Sequence, residues 1–167
     1  MKYVREHINE KFTADSDPLH DMGIGPKGIV DELKKKYHWS DYDIFIKMLS
    51  EEKDVEKAKT VMDYLLENTK LKTDIDDKWL AQGIIHHANR DIMRHYVVEK
   101  AIEYKAKKAL AEFLIQASKW NDTDLIIKLV NGGADPRIRG NKPMMLAIRH
   151  RNKKVWDIME PHIKWKK

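Results

Sequence analysis

The sequence Lys-Leu-Val-Asn-Gly-Gly-Ala-Asp-Pro occupies residues 128–136, and Lys-Pro-Met-Met-Leu-Ala follows at residues 142–147. Gly132 and Gly133 follow an apolar helix end and can adopt the positive φ with which many helices finish. Pro143 stands where a new helix would begin, because its missing N–H costs nothing in a first turn. The two segments therefore predict the end of one helix pair and the start of the next.

This junction resembles the ankyrin repeat. The family's helix-ending Gly-Ala-Asp is matched at residues 133–135, and its Thr-Pro-Leu-His-x-Ala helix start corresponds to residues 142–147. The Thr and His of that pattern are missing, so their hydrogen bonds are not implied. The resemblance implies stacked helix pairs and a protein-binding role. An ordinary helical hairpin with a Gly C-cap is the alternative for this stretch.

Apolar pairs recur every 32 residues, each at the end of a predicted helix. The pairs are Leu65-Leu66, Val97-Val98 and Leu129-Val130. Each of these helices has an acidic residue near its start, namely Asp54, Asp91 and Asp124. Three alanines recur at intervals of 29 and 30 residues: Ala88, Ala117 and Ala147. Paired helices with a period of about 33 residues are typical of a helical repeat array.

The first two repeats lack the glycine turn, because Asn68-Thr69-Lys70 and Glu103-Tyr104-Lys105 stand in its place. We therefore predict an all-α fold, a short irregular ankyrin-like helical repeat array over residues 39–167 with a basic C-terminal cap. A small N-terminal element, over residues 1–38, precedes it. A generic helical bundle explains the residues before 110 nearly as well.

The N-terminal element contains several local signals. Val4, Ile8 and Phe12 have the spacing of a short helix, with a strand as the alternative, and Asp17-Pro18 is typical of a helix start. The apolar spacing further on predicts a helix over residues 26–38. Ser40 then predicts the cap of a second helix, with Asp43 in the capping-box position.

Residues 9–25 include Asn-Glu-Lys-Phe-Thr, Asp-Ser-Asp-Pro and Asp-Met-Gly-Ile-Gly. These segments are similar to the N-termini of small bacteriophage-encoded proteins. The resemblance implies an origin rather than a chemistry. Together with the ankyrin-like pattern, it implies a phage accessory protein that binds and modulates a host protein, in the host cytoplasm.

Composition narrows the function classes. The 167 residues include no Cys, which excludes disulfides, thiolate metal sites and a Cys nucleophile. No run approaches the roughly 18 apolar residues of a membrane span, and we expect a soluble cytoplasmic protein without membrane contact. His86 and His87 are adjacent and point about 100° apart on a helix, so they predict no metal site. We expect no enzyme activity, no cofactor and no metal.

Charge is distributed unevenly. Residues 137–167 hold ten Lys or Arg and two Asp or Glu, a net charge of +8, whereas the whole chain carries +5. The rest of the chain is therefore mildly acidic, with a net charge of −3. A basic end favours a partner with an acidic patch, or nucleic acid. A solvated capping repeat, which must be polar outside, is the alternative.

In ankyrin-like arrays the turns and first helices recognise the partner, and the resemblance places the contacts near the C-terminal turn. The candidate partner-binding residues are Trp120, Arg137, Arg139, Lys142, Arg149 and Arg151. An exposed Trp is a candidate anchor. Packing between repeats is the alternative role for Trp120.

Gly23-Ile24-Gly25-Pro26-Lys27 resembles the hairpin of the helix-hairpin-helix motif, which implies DNA binding. Gly23 and Gly25 would let backbone N–H groups approach a phosphate, and Lys27 would add charge. Nearby acidic residues, Asp21 and Asp31 among them, oppose this reading. A DNA-binding protein that uses this turn and the basic C-terminal end is the alternative function, and a plain Gly-Pro turn is the structural alternative.

Overall fold

The computed structural model describes residues 24–163. Within that range it contains ten α-helices, one closing 3-10 turn and no strand, so the predicted all-α class is confirmed for those residues. The helices are α1 (Pro26–Tyr37), α2 (Asp41–Ser50), α3 (Val55–Asn68), α4 (Leu71–Asp74), α5 (Lys78–His87), α6 (Asp91–Glu103), α7 (Lys107–Trp120), α8 (Thr123–Asn131), α9 (Ile138–Arg149) and α10 (Lys153–Met159). The predictions for Val4, Ile8, Phe12, Asp17-Pro18 and Gly23 lie outside the described residues.

Local signals near the start of this range act as the sequence predicts. The helix predicted over residues 26–38 is α1. Ser40 caps α2 in a complete capping box, because its hydroxyl accepts the Asp43 N–H at 3.1 Å and the Asp43 carboxylate accepts the Ser40 N–H at 2.9 Å. Two backbone donors that a helix start leaves unpaired are satisfied in this way.

Eight of the helices form four consecutive pairs: α2 with α3, α5 with α6, α7 with α8, and α9 with α10. The first helices of the pairs, α2, α5, α7 and α9, pack against one another in that order. Among the second helices, α6 packs against α8 and α8 packs against α10. The paired helices therefore lie in two layers, and α1 packs against α3 at one end.

The repeat is clearest when positions are counted from the N-cap of each second helix. These N-caps are Asp54, Arg90, Asp122 and Asn152. The residue seven positions later is fully buried every time: Val61, Val97, Leu129 and Met159. A large apolar side chain at such a position contributes about 1.5–3 kcal/mol relative to exposure. The same inward position thus recurs in all four pairs.

One detail of the predicted period is wrong. Ala88 is the residue after α5, whereas Ala117 and Ala147 lie inside their helices, so the three are not equivalent. The acidic residues near the helix starts are present, but Asp54 is an N-cap whereas Asp91 is the first helical residue, after the N-cap Arg90. Alanine and aspartate are common on helices, and a match in spacing alone does not identify the same position.

The glycine turn after α8 is built on one positive φ. Gly133 has φ +96°, and the Ala134 N–H donates to the Leu129 carbonyl at 2.9 Å. Gly132 has φ −79°, so it does not need glycine for its backbone angle. Glycine is required at position 132 for a steric reason, because a Cβ there would collide with the Ile102 side chain of α6.

The repeat before it makes the same turn without glycine. Lys105 has φ +52°, and the Ala106 N–H donates to the Ala101 carbonyl at 2.9 Å, as Ala134 does to Leu129. After α3, by contrast, the chain continues into α4, and the hydroxyl of Thr69 accepts the Leu71 N–H at 3.2 Å. Of the two helix ends without glycine, the one after α6 therefore makes the same turn as the one after α8, and the one after α3 does not.

Candidate functional site

A buried carboxylate lies in the layer of first helices. Glu112 is on α7, which is buried on nearly all sides, and only 7% of the residue is exposed. The start of α7 is fixed from 32 residues earlier, because Asp76 accepts the Lys108 N–H at 2.6 Å. The structure therefore holds the helix that carries Glu112 at its N-terminus as well as through its packing.

Glu112 joins three consecutive first helices. Gln82 of α5 donates from Nε2 to Glu112 Oε2 at 2.7 Å, and Arg139 of α9 donates from Nη2 to Glu112 Oε1. A buried carboxylate is costly unless it is paired and hydrogen-bonded, and these two donors meet both needs. The network links α5, α7 and α9 at one place on their solvent-facing side.

A groove of about 140 Å³ opens above this network. Two cationic side chains, Lys119 and Arg139, line it together with His86, and Gln82, Glu112 and Gln116 complete its polar walls. Ile85 and Ile115 form the apolar part. Pockets for drug-sized ligands measure roughly 300–1,000 Å³, so this groove is the size of a side chain.

Arg139 reaches the groove from an unusual backbone. Arg139, Gly140 and Asn141 have φ of +46°, +68° and +62°, three left-handed residues in a row before the straight part of α9. Such conformations cost of order 1–3 kcal/mol for a non-glycine residue and persist only where the surroundings enforce them. Pro143 lies in the first turn of the straight part, as the sequence predicts.

The most exposed aromatic side chain in residues 24–163 is near in sequence to Gln82, one of the residues that line this groove. Trp79 is 73% exposed, and the Lys78 ammonium is 5.0 Å from its ring centroid. Trp79 precedes Gln82 by three residues on α5, a spacing that places both on one side of the helix. An exposed Trp beside a polar groove is typical of a protein-binding anchor.

Helix α9 also exposes a mixed surface. Met145 is 60% exposed, and Lys142 and Arg149, its neighbours at positions three before and four after, are exposed as well. Met144 and Ala147 occupy the opposite, buried side. Two of the predicted partner-binding cations therefore flank an exposed methionine.

The other predicted partner-binding residues lie elsewhere. Trp120 is 36% exposed, and the Arg94 guanidinium stacks on it 4.5 Å from the ring centroid, which joins α7 to α6. Arg137 donates from Nε and Nη2 to Asp135, at 2.8 Å in each case. These hydrogen bonds lower the pKa of Asp135 below its usual value. Trp120 and Arg137 thus make contacts within the chain.

Arg151 lies in the turn after α9, with φ +53°, and lines a second groove at the far end of the array. Ile148 and Trp156 form the apolar floor of this groove, and Lys153 contributes to its rim. The six predicted residues therefore occupy several places rather than one patch. Only Arg139 belongs to the groove above Glu112.

The predicted phosphate-binding turn is described in part. Gly25 is the N-cap of α1, with φ −66°, and Lys27 is exposed in the first turn. Among the residues that the structure describes, no side chain caps this helix start. Asp31 and Glu32 are also exposed on α1. Gly23 lies outside the described range, so the structure describes four of the five motif residues, 24–27.

The largest pKa shift within residues 24–163 belongs to a contact between two second helices rather than to a groove. Burial raises the pKa of the Tyr96 phenol well above its usual value, and Asp63, which accepts its hydrogen bond at 2.8 Å, raises that pKa further. Lys100 also contacts Asp63, at 2.9 Å. These residues connect α3 with α6.

Two further findings bear on function. Within residues 24–163, no three His, Cys, Asp or Glu side chains gather as a metal ion would require. None of the helices in that range combines the length and apolar character needed to cross a bilayer.

Comparison of the chain with protein-family models, with curated proteins and with solved structures found no match.

Sequence reasoning missed the Gln82–Glu112–Arg139 network and the exposure of Trp79 and Met145. One signal was present: Glu112 lies within an apolar stretch, after Leu110-Ala111 and before Phe113-Leu114, and such a carboxylate must find a partner. Which residues would supply that partner depends on the packing of helices about 30 residues apart, and no local pattern encodes it.

Proposed function

We propose that the chain is a protein-binding module that recognises its partner with the exposed side of its first helices. The observation that carries the proposal is Trp79, a tryptophan that is 73% exposed and lies three residues before Gln82 of the groove's polar network on the same helix. A tryptophan left in water is unfavourable for the free chain, and burial of its ring on binding offsets that cost.

The ankyrin-like arrangement is part of this proposal. Four helix pairs in two layers, with successive first helices in contact, support it, as does the glycine turn at Gly133. The intervals of 36, 32 and 30 residues between N-caps differ from a regular array. We therefore assign the chain a degenerate array whose first helices form a continuous recognition layer.

The partner we propose carries an acidic patch. Lys119 and Arg139 line the groove, Lys78 lies against Trp79, and Lys142 and Arg149 flank Met145. Complementary charge of this kind raises the association rate and disfavours basic partners. In this proposal Glu112 orients Arg139 for binding, since both of its oxygens accept hydrogen bonds within the chain.

The similarity of residues 9–25 to phage proteins supports a bacterial host protein as the partner, met in the host cytoplasm. In that setting the module modulates the host protein by occupying its acidic surface. Affinity capture of the full chain from a bacterial lysate, followed by mass spectrometry, tests the proposal. A protein retained by the wild type and lost with Trp79→Ala supports it.

The matched control is Ile92→Ala, because Ile92 is 46% exposed on α6, a second helix. Loss of the captured protein with Ile92→Ala but not with Trp79→Ala would contradict the proposed face.

The alternative function, DNA binding through Gly23, Gly25 and Lys27, is tested by a second assay. A DNA mobility shift with a steep salt dependence that Lys27→Glu abolishes would favour it.

A further inference from the structure

We infer that the groove above Glu112 is a receptor for one carboxylate side chain, an Asp or Glu of the partner, which Arg139 and Lys119 bind. The inference rests on the proposed function, because it names the chemistry of a contact within the same face. It adds a defined subsite, with recognition residues and a ligand group, to a surface so far characterised by exposure and charge.

The size of the groove selects a side chain over a larger ligand. Its 140 Å³ is well below the roughly 300–1,000 Å³ of pockets that enclose metabolites and cofactors. The groove therefore has room for one small group rather than for a metabolite or a cofactor. A carboxylate on a short aliphatic stem fits this space, and Ile85 and Ile115 provide apolar contact for the stem.

The charges select an anion. Arg139 and Lys119 are cationic, and Glu112 is the one acidic side chain in the lining. Glu112 already accepts from Gln82 and Arg139. A cationic group from the partner would have to displace Arg139 from Glu112. An incoming carboxylate leaves that pair intact and neutralises the remaining positive charge.

The donors are held in place before binding. A guanidinium has five N–H donors, and among the described residues Arg139 uses one nitrogen, Nη2, on Glu112. The second N–H of Nη2 and the N–H groups of Nε and Nη1 are left as donors, and a fork that includes Nη2 can bind a second carboxylate with two parallel hydrogen bonds. Since Glu112 and the left-handed backbone already orient Arg139, little side-chain entropy remains to be lost.

Lys119 and Gln116 complete the donor set. The Lys119 ammonium donates to Gln116 Oε1 at 3.4 Å. The NH₂ group of Gln116 is therefore not used in this contact. Gln116 is only 8% exposed, so its position is defined by packing. The carboxylate receptor is therefore formed by Arg139 on one wall and by Lys119 with Gln116 on the other.

The test uses the full chain, labelled for NMR, and two small probes of the same shape. Nα-acetylglutamate amide carries the carboxylate, and Nα-acetylglutamine amide is its uncharged isostere. We expect saturable shifts at the side chains of Arg139, Gln82 and Gln116 with the glutamate probe, at millimolar affinity. The glutamine probe should bind at least about tenfold more weakly, because it lacks the charge-assisted hydrogen bonds.

Three variants locate the binding. Arg139→Gln and Lys119→Gln should each weaken the glutamate probe, the first by at least about tenfold. Lys119→Gln leaves the Glu112–Arg139 pair in place, so its effect does not depend on a change in folding. Lys154→Gln, which removes an exposed cation of α10, a second helix, should leave the affinity unchanged. Equal binding of the two probes, or equal loss with Lys154→Gln, would overturn the inference.

The carboxylate subsite and the proposed binding face around Trp79 can be refuted independently of each other. If a captured partner depends on Trp79 but the glutamate probe gives no saturable shift, the subsite is refuted and the face stands. If the probe binds through Arg139 and Lys119 but no protein depends on Trp79, the subsite stands and the proposed function falls.

Discussion

The carboxylate of Glu112 accepts a hydrogen bond from the guanidinium of Arg139, which comes from the next first helix and from a left-handed backbone. The Glu112 side chain is 8% exposed, whereas that of Arg139 is 41% exposed. One member of the pair is thus buried in the helix layer and the other reaches solvent. The buried carboxylate of Glu112 orients the guanidinium of Arg139, which remains available to a partner.

Replacement of the buried acid should destabilise the chain. Glu112→Gln keeps the shape but removes the charge that pairs with Arg139, and hydrogen bonds to charged groups contribute about 1.5–3 kcal/mol. Partial exposure of Arg139 lowers the expected loss in unfolding free energy to about 1–2 kcal/mol, measured by urea denaturation. Lys153→Gln, at an exposed pair with Asp157, is the control and should cost under about 0.5 kcal/mol. Equal costs would contradict the role of the buried pair.

The two turn glycines should respond differently to alanine. Gly133→Ala places a Cβ at φ +96° and should cost about 1–2 kcal/mol in unfolding free energy, whatever its neighbours. Gly132→Ala should destabilise through contact with Ile102, so Ile102→Ala should make the two changes less than additive. Additive effects in thermal unfolding of the double variant would show that the close approach to Ile102 is not the cause.

The contact between α3 and α6 predicts a loss of stability in alkali. The raised pKa of Tyr96 means that the unfolded chain loses this phenolic proton first, near pH 10.0, while the folded chain retains it. The contribution of Tyr96 is therefore complete below pH 10 and declines as pH rises, by up to about 1.4 kcal/mol per unit. Urea denaturation at a series of pH values should show a shallower alkaline decline for Tyr96→Phe than for the wild type.

Part of the decline should remain in that variant, because burial also raises the pKa of Tyr42 and of Tyr104. At neutral pH, Tyr96→Phe should cost about 1–2 kcal/mol, since Asp63 loses one donor but keeps Lys100. Identical alkaline profiles for the variant and the wild type would contradict the assignment of the shift to Tyr96.

Replacement of Asn152 should lower the unfolding free energy more than the loss of an ordinary helix cap does. Its Oδ1 accepts the Val155 N–H at 3.1 Å, and its Nδ2 donates at 2.8 Å both to Asn121 and to Thr123 of the preceding pair. Asn152→Ala should lower the unfolding free energy by about 1–2 kcal/mol, because loss of a cap alone costs about 1. Asn131→Ala, at the exposed end of α8, should stay within about 0.5 kcal/mol in the same chemical denaturation. A similar cost for both variants would argue against a link between the turns.

Local chemistry made much of the fold predictable. The Ser40–Asp43 capping box, the start of α1 at Pro26 and the turn at Gly133 each depend on interactions over three to five residues. The repeat was visible because α6 and α8 share a 32-residue interval, whereas the shift at Ala88 went undetected because alanine fits several helix positions.

The site was less predictable for a physical reason. Arg139 was predicted as a partner contact from its place near the C-terminal turn, but the sequence does not show that Glu112, 27 residues earlier, faces it. The exposure of Trp79 likewise follows from which side of α5 packs on α7, and both sides of that helix carry apolar residues. Long-range packing of the first helices therefore decides which predicted side chains remain available.

Site-specific photocross-linking tests the proposed face most directly. A benzoylphenylalanine at position 79, as Trp79→benzoylphenylalanine, should form a covalent adduct with the partner protein in bacterial lysate, whereas Ile92→benzoylphenylalanine on α6 should form none. A partner adduct at position 92 together with none at position 79 would contradict recognition through the first helices.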